Sequence, residues 1–372
     1  MKLSVIILNY KTPYFLHLCL ESVQRATANL ESEIIVIDNN SQDESIELVK
    51  TYFPEVFLIE NQENLGFSKA NNLGVKQVNG EFICILNPDM VVPENCFETL
   101  LEFSNDKRDL GVVGVRLIDG TGTYLPESKR NIPNIEVAFQ KLTGDTSKYY
   151  ANQLAQDEVG EVPVLVGAFL FMRKAVFESI GSFDEDYFMY GEDIDLSYKL
   201  TQNGFKNYYY GQLTALHFKG ESTIKNRKYQ RRFYKAMQIF QKKHFSKGKF
   251  VDGIIVLALK LLAETKSNKK LKLENGDTEK NIFWVSEQSA MPEAFRIKNY
   301  KSLNVIAFKD LSQLQNTSGT VIFDLQDLKF SEVLQSIQLL KNSKNRFRIR
   351  PSNCNFSLGS DTSTSQGELL KW

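Results

Sequence analysis

The chain has 372 residues, enough for one large domain with an appendage or for two domains. Hydrophobic residues make up 42% of the chain, and 45 Lys and Arg balance 45 Asp and Glu to give a formal net charge of zero. Proteins that bind nucleic acid generally carry a basic surplus, so this balance argues against such a partner.

The cysteines and the amino terminus indicate a cytoplasmic protein. The four cysteines are widely spaced and include no CxxC pair: Cys19, Cys84, Cys96 and Cys354. We predict buried free thiols, which suit a reducing compartment. The apolar start of the chain, Leu3–Leu8, is too short for a secretory signal and is interpreted as a buried strand. No run reaches the roughly 18 apolar residues that span a bilayer.

Short β-branched runs alternate with helical patterns through the first hundred residues. The predicted strands are Ser4–Leu8, Glu33–Ile37, Val56–Glu60 and Glu81–Leu86, and the predicted helices between them are Pro13–Ala26, Asp43–Tyr52 and Ser68–Val78. This order predicts an α/β fold with a parallel sheet that is covered on both faces. Ligands of such sheets bind beyond the carboxyl ends of the strands.

The rest of the chain is less regular at first and then resumes the alternation. The middle, 111–183, contains a polar stretch that we interpret as a loop, Thr143–Glu161. The next predicted elements are a strand at Val164–Arg173, a helix at Asp193–Gln202, a basic helix at Lys225–His244, an apolar helix at Phe250–Ala263 and a linker at Thr265–Asp277. A small α/β module then follows, with strands at Ile282–Val285, Val305–Phe308, Val321–Phe323 and Phe347–Ile349 and a helix at Ser331–Lys341.

Polar clusters follow the predicted strands. After the first and second strands come Asn9–Pro13 and Asp38–Asp43. An aspartate at a strand end can accept a hydrogen bond from a nucleobase or a ribose hydroxyl, and Tyr10 offers a face for stacking. The alternative is that the second cluster only turns the chain and caps the next helix.

Two further clusters point to phosphate and metal chemistry. In Asn64–Asn72, Gly66 frees the loop, and the following helix start is a site for phosphate. No GxGxxG is present, which disfavours dinucleotide binding. In Leu86–Met90, an apolar strand ends in Asp89, and Mg²⁺ or Mn²⁺ prefers one or two carboxylates plus phosphate oxygens. The alternative for Asp89 is an ordinary turn residue.

Three carboxylates at the start of a predicted helix give the strongest signal. Glu192, Asp193 and Asp195 follow a glycine and lie among aromatic residues. Their crowding should raise at least one pKa towards the range of a general base. The alternative is an acidic cap on a solvated helix.

One histidine stands out from the other two. His217 ends an apolar and aromatic strand and precedes Lys219, a glycine and two hydroxyl residues, so a metal or phosphate role is indicated. His17 and His244 have no such setting and are interpreted as surface or core residues.

The motifs SVIILNYKTP, VIDNNSQD, NLGFSKANNLG, GEFICILNPDM, GAFLFMRKAVFESIGSFDEDYFMYGEDIDLSYKL and ALHFKGEST occur in this order. Taken together, they resemble the family 2 inverting glycosyltransferases of GT-A fold, in the rhamnosyltransferase-like and galactofuranosyltransferase-like branch of bacterial surface-glycan enzymes. The resemblance implies a catalytic domain at 1–245 and an apolar and basic helix with a linker at 246–278. A carboxyl-terminal module of unknown role follows at 279–372.

The resemblance also implies residue roles. The nucleotide-sugar would contact Asn9, Tyr10, Asp38, Asn40, Asn64, Gly66, Asn71 and Asn87. A divalent cation, Mg²⁺ or Mn²⁺, would be held by Asp89 and His217, with Asn87 replacing the first carboxylate of the DxD-type metal motif. Asp193 would be the catalytic base beside Glu192, and Asp195 and Gly167 would contact the acceptor.

The implied reaction transfers a sugar from dTDP-rhamnose or a UDP-sugar to a hydroxyl of a glycan or lipid-linked glycan in surface polysaccharide synthesis. Asp193 takes the hydroxyl proton, the oxygen attacks in line, and the single displacement inverts the configuration. One rival is a nucleotidyltransferase, which would need a glycine-rich basic loop that Asn9–Pro13 lacks. The other is a non-catalytic nucleotide-sugar-binding scaffold, for which the three acids would be dispensable.

The segment after the catalytic domain indicates a membrane surface. Cations of the basic helix precede the apolar stretch Val251–Leu262, which favours an interfacial helix near anionic lipid. The expected location is then the inner face of the cell membrane. The alternative is a helix that packs between domains. The tail from Asn281, which ends in the segment Gly359–Ser363, loosely resembles carboxyl-terminal α/β extensions of bacterial polysaccharide-synthesis proteins and is assigned no chemistry.

Overall fold

The computed structural model describes residues 1–133, 137, 146–219, 227–245, 280–288, 291–292, 295, 300–363 and 366–372. Several predicted features lie outside these ranges: the apolar helix Phe250–Ala263, the linker Thr265–Asp277, Lys225 and the hydroxyl residues Ser222 and Thr223. The predicted connecting segment 246–278 also lies outside them. Within the described residues, no helix is long and apolar enough to cross a bilayer.

The first part of the chain alternates strands and helices as predicted. The elements are β1 Leu3–Asn9, α1 Pro13–Thr27, β2 Ser32–Asp38, α2 Ser45–Tyr52, β3 Phe57–Glu60, α3 Phe67–Gln77 and β4 Phe82–Leu86. Helix α1 begins at a proline, whose missing N–H is not needed in the first turn. Every residue of β4 is buried, as expected for a central strand covered on both faces.

The second part of this domain contains strands of 2 to 12 residues and, among the described residues, four helices. The elements are β5 Met90–Val91, α4 Cys96–Asn105, β6 Leu110–Ile118, β7 Lys129–Arg130, β8 Val159–Glu161, β9 Val164–Leu165, β10 Phe169–Arg173, α5 Lys174–Ser179, α6 Glu192–Gln202, β11 Lys206–His217 and α7 Arg227–His244. A 3₁₀ turn at Pro126–Ser128 precedes β7. The predicted strand Val164–Arg173 is two strands, because a turn that contains Gly167 separates β9 from β10.

The main sheet runs in the order β3-β2-β1-β4-β10-β6-β11-β5, with β8 paired to β11. Strands β1, β2, β3 and β4 are parallel, β10 is antiparallel to both β4 and β6, and β11 is parallel to β6. Apolar clusters pack on both faces of this sheet. The mixed, parallel-rich sheet with helices on both sides confirms the predicted α/β fold. The four cysteines are buried and unpaired.

The carboxyl-terminal module has its own sheet. Its elements are β12 Lys280–Ser286, β13 Tyr300–Ala307, a 3₁₀ segment Phe308–Asn316, β14 Thr320–Asp324, α8 Phe330–Leu340, β15 Arg346–Arg350, β16 Phe356–Gly359 and β17 Glu368–Lys371. The strand order is β13-β12-β14-β15-β16-β17, with the first four strands parallel and the last two antiparallel.

The module packs directly on the main domain. One apolar cluster includes Phe15 and Leu18 of α1, Leu216 of β11, and Phe330 and Leu334 of α8. Since α1 begins four residues after Asn9, this contact lies close to the first predicted nucleotide loop.

Candidate active site

Two predicted nucleotide residues form a buried pair at the carboxyl ends of β1 and β2. Asn9 and Asp38 are register partners, and the Asn9 Nδ2 donates to Asp38 Oδ1 at 2.9 Å. The carboxylate also accepts from the backbone N–H of Ser41 at 2.9 Å and from its hydroxyl at 2.5 Å. A carboxylate has about four acceptor positions, so these three donors leave room for a ligand hydroxyl. Tyr10 follows this pair and is half-buried.

Asn39 connects the second polar cluster to the third, a role that the sequence did not assign. Its Nδ2 donates to Asn64 Oδ1 at 3.0 Å, and its Oδ1 accepts from the backbone N–H of Leu65 at 3.0 Å. Asn64 Oδ1 in turn accepts from the backbone N–H of Gly66. The neighbouring Asn40 has a φ of 61°. Asn39 lies within the polar run that marked this loop, so the run itself was the available signal.

Gly66 allows its loop to lie close to Phe188, which precedes the acidic residues at the start of α6. Its φ is 80°, and a Cβ there would lie 2.5 Å from the carbonyl oxygen of Phe188. The next residue, Phe67, donates its backbone N–H to that same oxygen at 2.7 Å. The predicted site residue Asn71 is buried one turn into α3, where its Oδ1 makes no hydrogen bond to the described residues.

The carboxylate of Asp193 is buried at the start of α6. Its Oδ2 accepts from Arg130 Nη2 at 2.5 Å and from the backbone N–H of Gly167 at 3.0 Å, so two predicted site residues are in direct contact. Its Oδ1 accepts from the backbone N–H of Ile194 at 2.8 Å. Arg130 was not predicted, because it lies in the irregular middle of the chain, where no motif marks it.

Glu192 is the acid whose proton affinity the fold raises. Burial, together with the negative charge of Asp193, raises the pKa of Glu192 to about 8, although Arg130 opposes the shift. Its Oε2 makes no hydrogen bond to the described part of the chain. The predicted effect of crowding is therefore seen at Glu192.

Asp195 faces the interior of the protein, where its side chain is 1% exposed. His244 Nε2 lies 2.6 Å from Asp195 Oδ1, Lys199 Nζ lies 3.2 Å from Oδ2, and the hydroxyl of Tyr187 donates to Oδ1 at 3.4 Å. His244 is thus partly buried and contacts the acidic motif. His17 is a core residue, and burial lowers its pKa to about 4.

Asp89 and His217 lie side by side where β5 pairs with β11. Their Oδ1 and Nε2 atoms are 3.3 Å apart, and both side chains are buried. Asp89 Oδ1 and His217 Nδ1 make no hydrogen bond to the described residues. Two ligands of an octahedral Mg²⁺, each at about 2.1 Å, lie about 3.0 Å apart, so this pair fits one cation.

The remaining coordination positions would be left for other oxygens. Among the described residues, no group of three His, Cys, Asp or Glu side chains is placed to hold a metal. A cation on Asp89 and His217 would therefore complete its shell with water or with phosphate oxygens. Beside His217, the ion pair of Glu127 and Lys219 adds charge, and the pKa of Glu127 is lowered because Lys219 outweighs the effect of burial.

The turn that carries Asp89 and the acidic residues at the start of α6 both contact the loop of Gly167 and Ala168. The backbone N–H of Asn87 donates to the carbonyl oxygen of Ala168 at 3.0 Å, and the adjacent Gly167 donates to Asp193. The turn that carries Asp89 and the start of α6 therefore lie on the same side of the sheet.

Separately, a cavity of about 570 Å³ lies between α3 and α6 and contains none of the predicted site residues. It is lined by Asn72, Lys76, Gly181, Ser182, Phe183, Asp184, Glu185 and Lys199.

Comparison with known proteins gives a family and several relatives. The family described as glycosyl transferase family 2 matches residues 4–181. An N-acetylglucosaminyl-diphospho-decaprenol L-rhamnosyltransferase of Mycobacterium tuberculosis is 27% identical over 241 residues, which cover 59% of this chain and 77% of the relative. A low-salt glycan biosynthesis hexosyltransferase of Haloferax volcanii is 24% identical over 203 residues, covering 53% of this chain and 61% of the relative.

Solved structures also resemble the chain. A mannosyltransferase of Pyrobaculum calidifontis, in complex with GDP-Man and Mn²⁺, aligns with a TM-score of 0.47 at 15% identity. The alignment covers 71% of this chain and 70% of that one.

Proposed function

We propose that the chain catalyses an inverting transfer of a sugar from a nucleotide diphosphate donor to a glycan hydroxyl. The support from comparison is the match of residues 4–181 to glycosyl transferase family 2 and the similarity to a rhamnosyltransferase. The observation that supports it best is the shared loop, in which Asn87 bonds Ala168 while Gly167 bonds Asp193. A donor site and a proton acceptor that flank one loop can act on the same sugar.

The donor nucleotide binds along the carboxyl ends of β1 and β2. Asn9 and Asp38 provide a rigid polar floor for the ribose, and Tyr10 stacks on the base. Asn40, Asn64, Gly66, Asn71 and Asn87 complete the pocket. The hydrogen bonds of Asn39 support this role, because they hold the loop of Asn64 and Gly66 in place before any ligand arrives.

Asp89 and His217 hold the divalent cation, Mg²⁺ or Mn²⁺. When bound, the ion supplies positive charge that stabilises the leaving nucleoside diphosphate. The chain itself contributes two further features here. The turn of Asn87 and Asp89 is anchored to Ala168, and the carboxylate of Glu127, which interacts with His217, is paired with Lys219.

Asp193 removes the proton from the acceptor hydroxyl. The oxygen then attacks the anomeric carbon opposite the leaving diphosphate, and one displacement inverts the configuration. Glu192 lies beside Asp193 in a buried site, and Gly167 borders the acceptor, whereas the predicted acceptor contact of Asp195 does not fit its side chain, which faces the interior. Burial of the acids excludes water, which would otherwise compete with the acceptor.

We propose dTDP-rhamnose as the first donor to test and a lipid-linked glycan as the acceptor. The support is the Mycobacterium tuberculosis relative, whose name specifies an L-rhamnosyl transfer to a diphospho-decaprenol carrier. A prenyl-linked acceptor would place the enzyme at the inner face of the cell membrane. The exposed cations Arg231, Lys235 and Lys242 of α7 suit an anionic lipid surface.

A donor panel with nucleoside diphosphate release as the readout tests the proposal. The panel contains dTDP-rhamnose, UDP-galactofuranose, UDP-hexoses and GDP-mannose, each with and without a lipid-linked glycan acceptor. We expect Asp193→Asn to lower turnover by about 10²–10⁴-fold while donor binding is retained. The control is Asp106→Asn, an exposed position far from the site. Turnover of Asp193→Asn at the wild-type rate would contradict the assignment of the base.

Chelation tests the cation. Excess EDTA should suppress product release, and added Mg²⁺ or Mn²⁺ should restore it. Full activity in the chelator would mean that Asp89 and His217 do not hold a required metal. If the wild-type chain binds donors but releases no nucleoside diphosphate, it is a non-catalytic nucleotide-sugar-binding scaffold and not an enzyme.

A further inference from the structure

A buried arginine is bonded to the proposed catalytic base. Arg130 lies on β7, its side chain is 9% exposed, and its Nη2 reaches Asp193 Oδ2 at 2.5 Å. The same Nη2 donates to the carbonyl oxygen of Leu165 at 3.1 Å, and Nη1 donates to the hydroxyl of Tyr149 at 3.3 Å. The guanidinium is therefore held on three sides and is not a mobile surface group.

The hydrogen bonds of Asp193 differ between its two oxygens. Oδ2 receives Arg130 and the backbone N–H of Gly167. Within the described part of the chain, Oδ1 accepts one hydrogen bond, from the backbone N–H of Ile194. Since a carboxylate oxygen has two lone pairs, Oδ1 keeps one lone pair available and Oδ2 keeps none.

The charges around Asp193 come from several elements. On α6, Glu192 and Asp195 add negative charge, and the charge of Asp195 is balanced by Lys199 and His244. Tyr149, in the segment before β8, accepts a hydrogen bond from Arg130 at its hydroxyl oxygen. Arg130, from β7, is the cation in direct contact with Asp193. An opposite charge this close favours the ionised form of a carboxyl group.

We propose that Arg130 is a positioning residue of the transfer reaction, which fixes the Asp193 carboxylate through Oδ2 and leaves Oδ1 to accept the proton. This inference rests on the proposed function, in which Asp193 is the base. The acceptor O–H bond breaks, its proton moves to Oδ1, and the oxygen forms the new bond to the anomeric carbon. The bond from that carbon to the diphosphate oxygen breaks, and its electron pair leaves with the nucleoside diphosphate.

The split between kcat and KM tests this role. Without the guanidinium, Asp193 Oδ2 loses its side-chain donor and the carboxylate is no longer held in place, so kcat of Arg130→Gln should fall by at least about tenfold while the KM for the donor stays near the wild-type value. Arg130→Lys keeps a positively charged donor and should recover part of kcat. The matched control is Arg173→Gln, because Arg173 bonds the carbonyl oxygens of Ser104 and Lys107 away from the site. An unchanged kcat in Arg130→Gln, or an equal loss in Arg173→Gln, would overturn the proposal.

Thermal unfolding gives a readout that does not depend on activity. Arg130→Gln leaves a buried carboxylate without its cation, so its Tm should fall, and the double variant Arg130→Gln/Asp193→Asn should regain much of that loss. A double variant no more stable than the single one would contradict the ion pair. The two proposals fail differently. An active Asp193→Asn removes the proposed base, whereas an inactive Asp193→Asn with an unchanged kcat in Arg130→Gln removes only the role of Arg130.

Discussion

At the residue scale, the polar side chains at the carboxyl ends of β1 and β2 are held by hydrogen bonds within the protein. Asp38 is bonded by Asn9 and Ser41, and Asn39 holds Asn64 and Leu65. An amide or carboxylate fixed in this way does not have to be ordered when the ligand binds, so less conformational entropy is lost on binding. Rigidity of these loops is thus part of the proposed donor site.

Gly66 supplies a test of that rigidity. Gly66→Ala would place a methyl group 2.5 Å from the carbonyl oxygen of Phe188, at a φ of 80°. The loop must then move away from the catalytic motif, and we expect kcat/KM for the donor to fall by at least about tenfold, equivalent to about 1.4 kcal/mol. The measurement is steady-state kinetics with varied donor.

A matched glycine separates the clash from backbone strain. Gly204 also has a left-handed φ, 83°, but a Cβ there would meet nothing within 4 Å. Gly204→Ala should lower stability slightly and leave donor kinetics unchanged. Equal losses of donor kcat/KM in both variants would show that the contact with Phe188 is unimportant.

The raised pKa of Glu192 predicts a pH effect on stability. The carboxyl group binds its proton more tightly in the folded than in the unfolded chain, so its stabilising contribution is complete below about 4.5 and is lost as pH rises towards about 8. Glu192→Gln removes this dependence. We expect the Tm of the variant to gain a few degrees relative to wild type between pH 5 and pH 8. Exposed Glu98→Gln is the control, and parallel curves for Glu192→Gln and wild type would refute the prediction.

At the element scale, helix α7 lies across the acidic motif. A Cβ on Gly191 would lie 3.1 Å from that of Ala236, the ring of Phe240 packs on Tyr198, and His244 reaches Asp195. These α7 residues are spaced four apart, so they form one face of the helix. Helix α7 therefore supports the start of α6 from behind.

Removing the imidazole should weaken that support. His244→Ala leaves Asp195 Oδ1 with only the long hydrogen bond from Tyr187, and we expect a loss of about 1–3 kcal/mol in unfolding free energy together with a lower kcat. His244→Gln keeps a donor and should recover part of both. Chemical denaturation measures the first quantity. Exposed Lys242→Ala is the matched control on the same helix turn, and an equal effect there would contradict a specific role for His244.

At the scale of the whole molecule, the carboxyl-terminal module is joined to the main domain by polar as well as apolar contacts. Arg25 of α1 donates to the carbonyl oxygens of Leu325 and Leu328. Glu94 accepts from the backbone N–H groups of Phe330 and Ser331, at the start of α8. A carboxylate at this helix end satisfies free donors and complements the helix dipole.

Glu94 offers a test of this docking. Glu94→Ala should cost about 0.5–2 kcal/mol, because two backbone donors lose their acceptor. If the contact between the module and the main domain also holds α1 in position, the KM for the donor should rise in Glu94→Ala as well. The control is Glu98→Ala on the exposed side of α4, and unchanged stability of Glu94→Ala in denaturant titrations would show that the contact contributes nothing.

Sequence periodicity was sufficient for the elements up to β4, because apolar strands and amphipathic helices there alternate without interruption. It failed for β6, a buried strand that contains Gly111 and Gly114, and for the two-residue strand β7, and it merged the two-residue strand β9 with β10. Such short strands carry no period of their own. They form because partners distant in sequence pair with them.

The sequence by itself determined the fold class and the acidic and asparagine-rich motifs of the proposed site, since these depend on residue type and local spacing. The tertiary structure alone decided that Arg130 pairs with Asp193, that His244 contacts Asp195 and that Asn39 joins two loops. Those pairs are separated by 63, 49 and 25 positions in the chain. Contacts at such separations arise from the packing of whole elements, so local patterns of residues do not predict them.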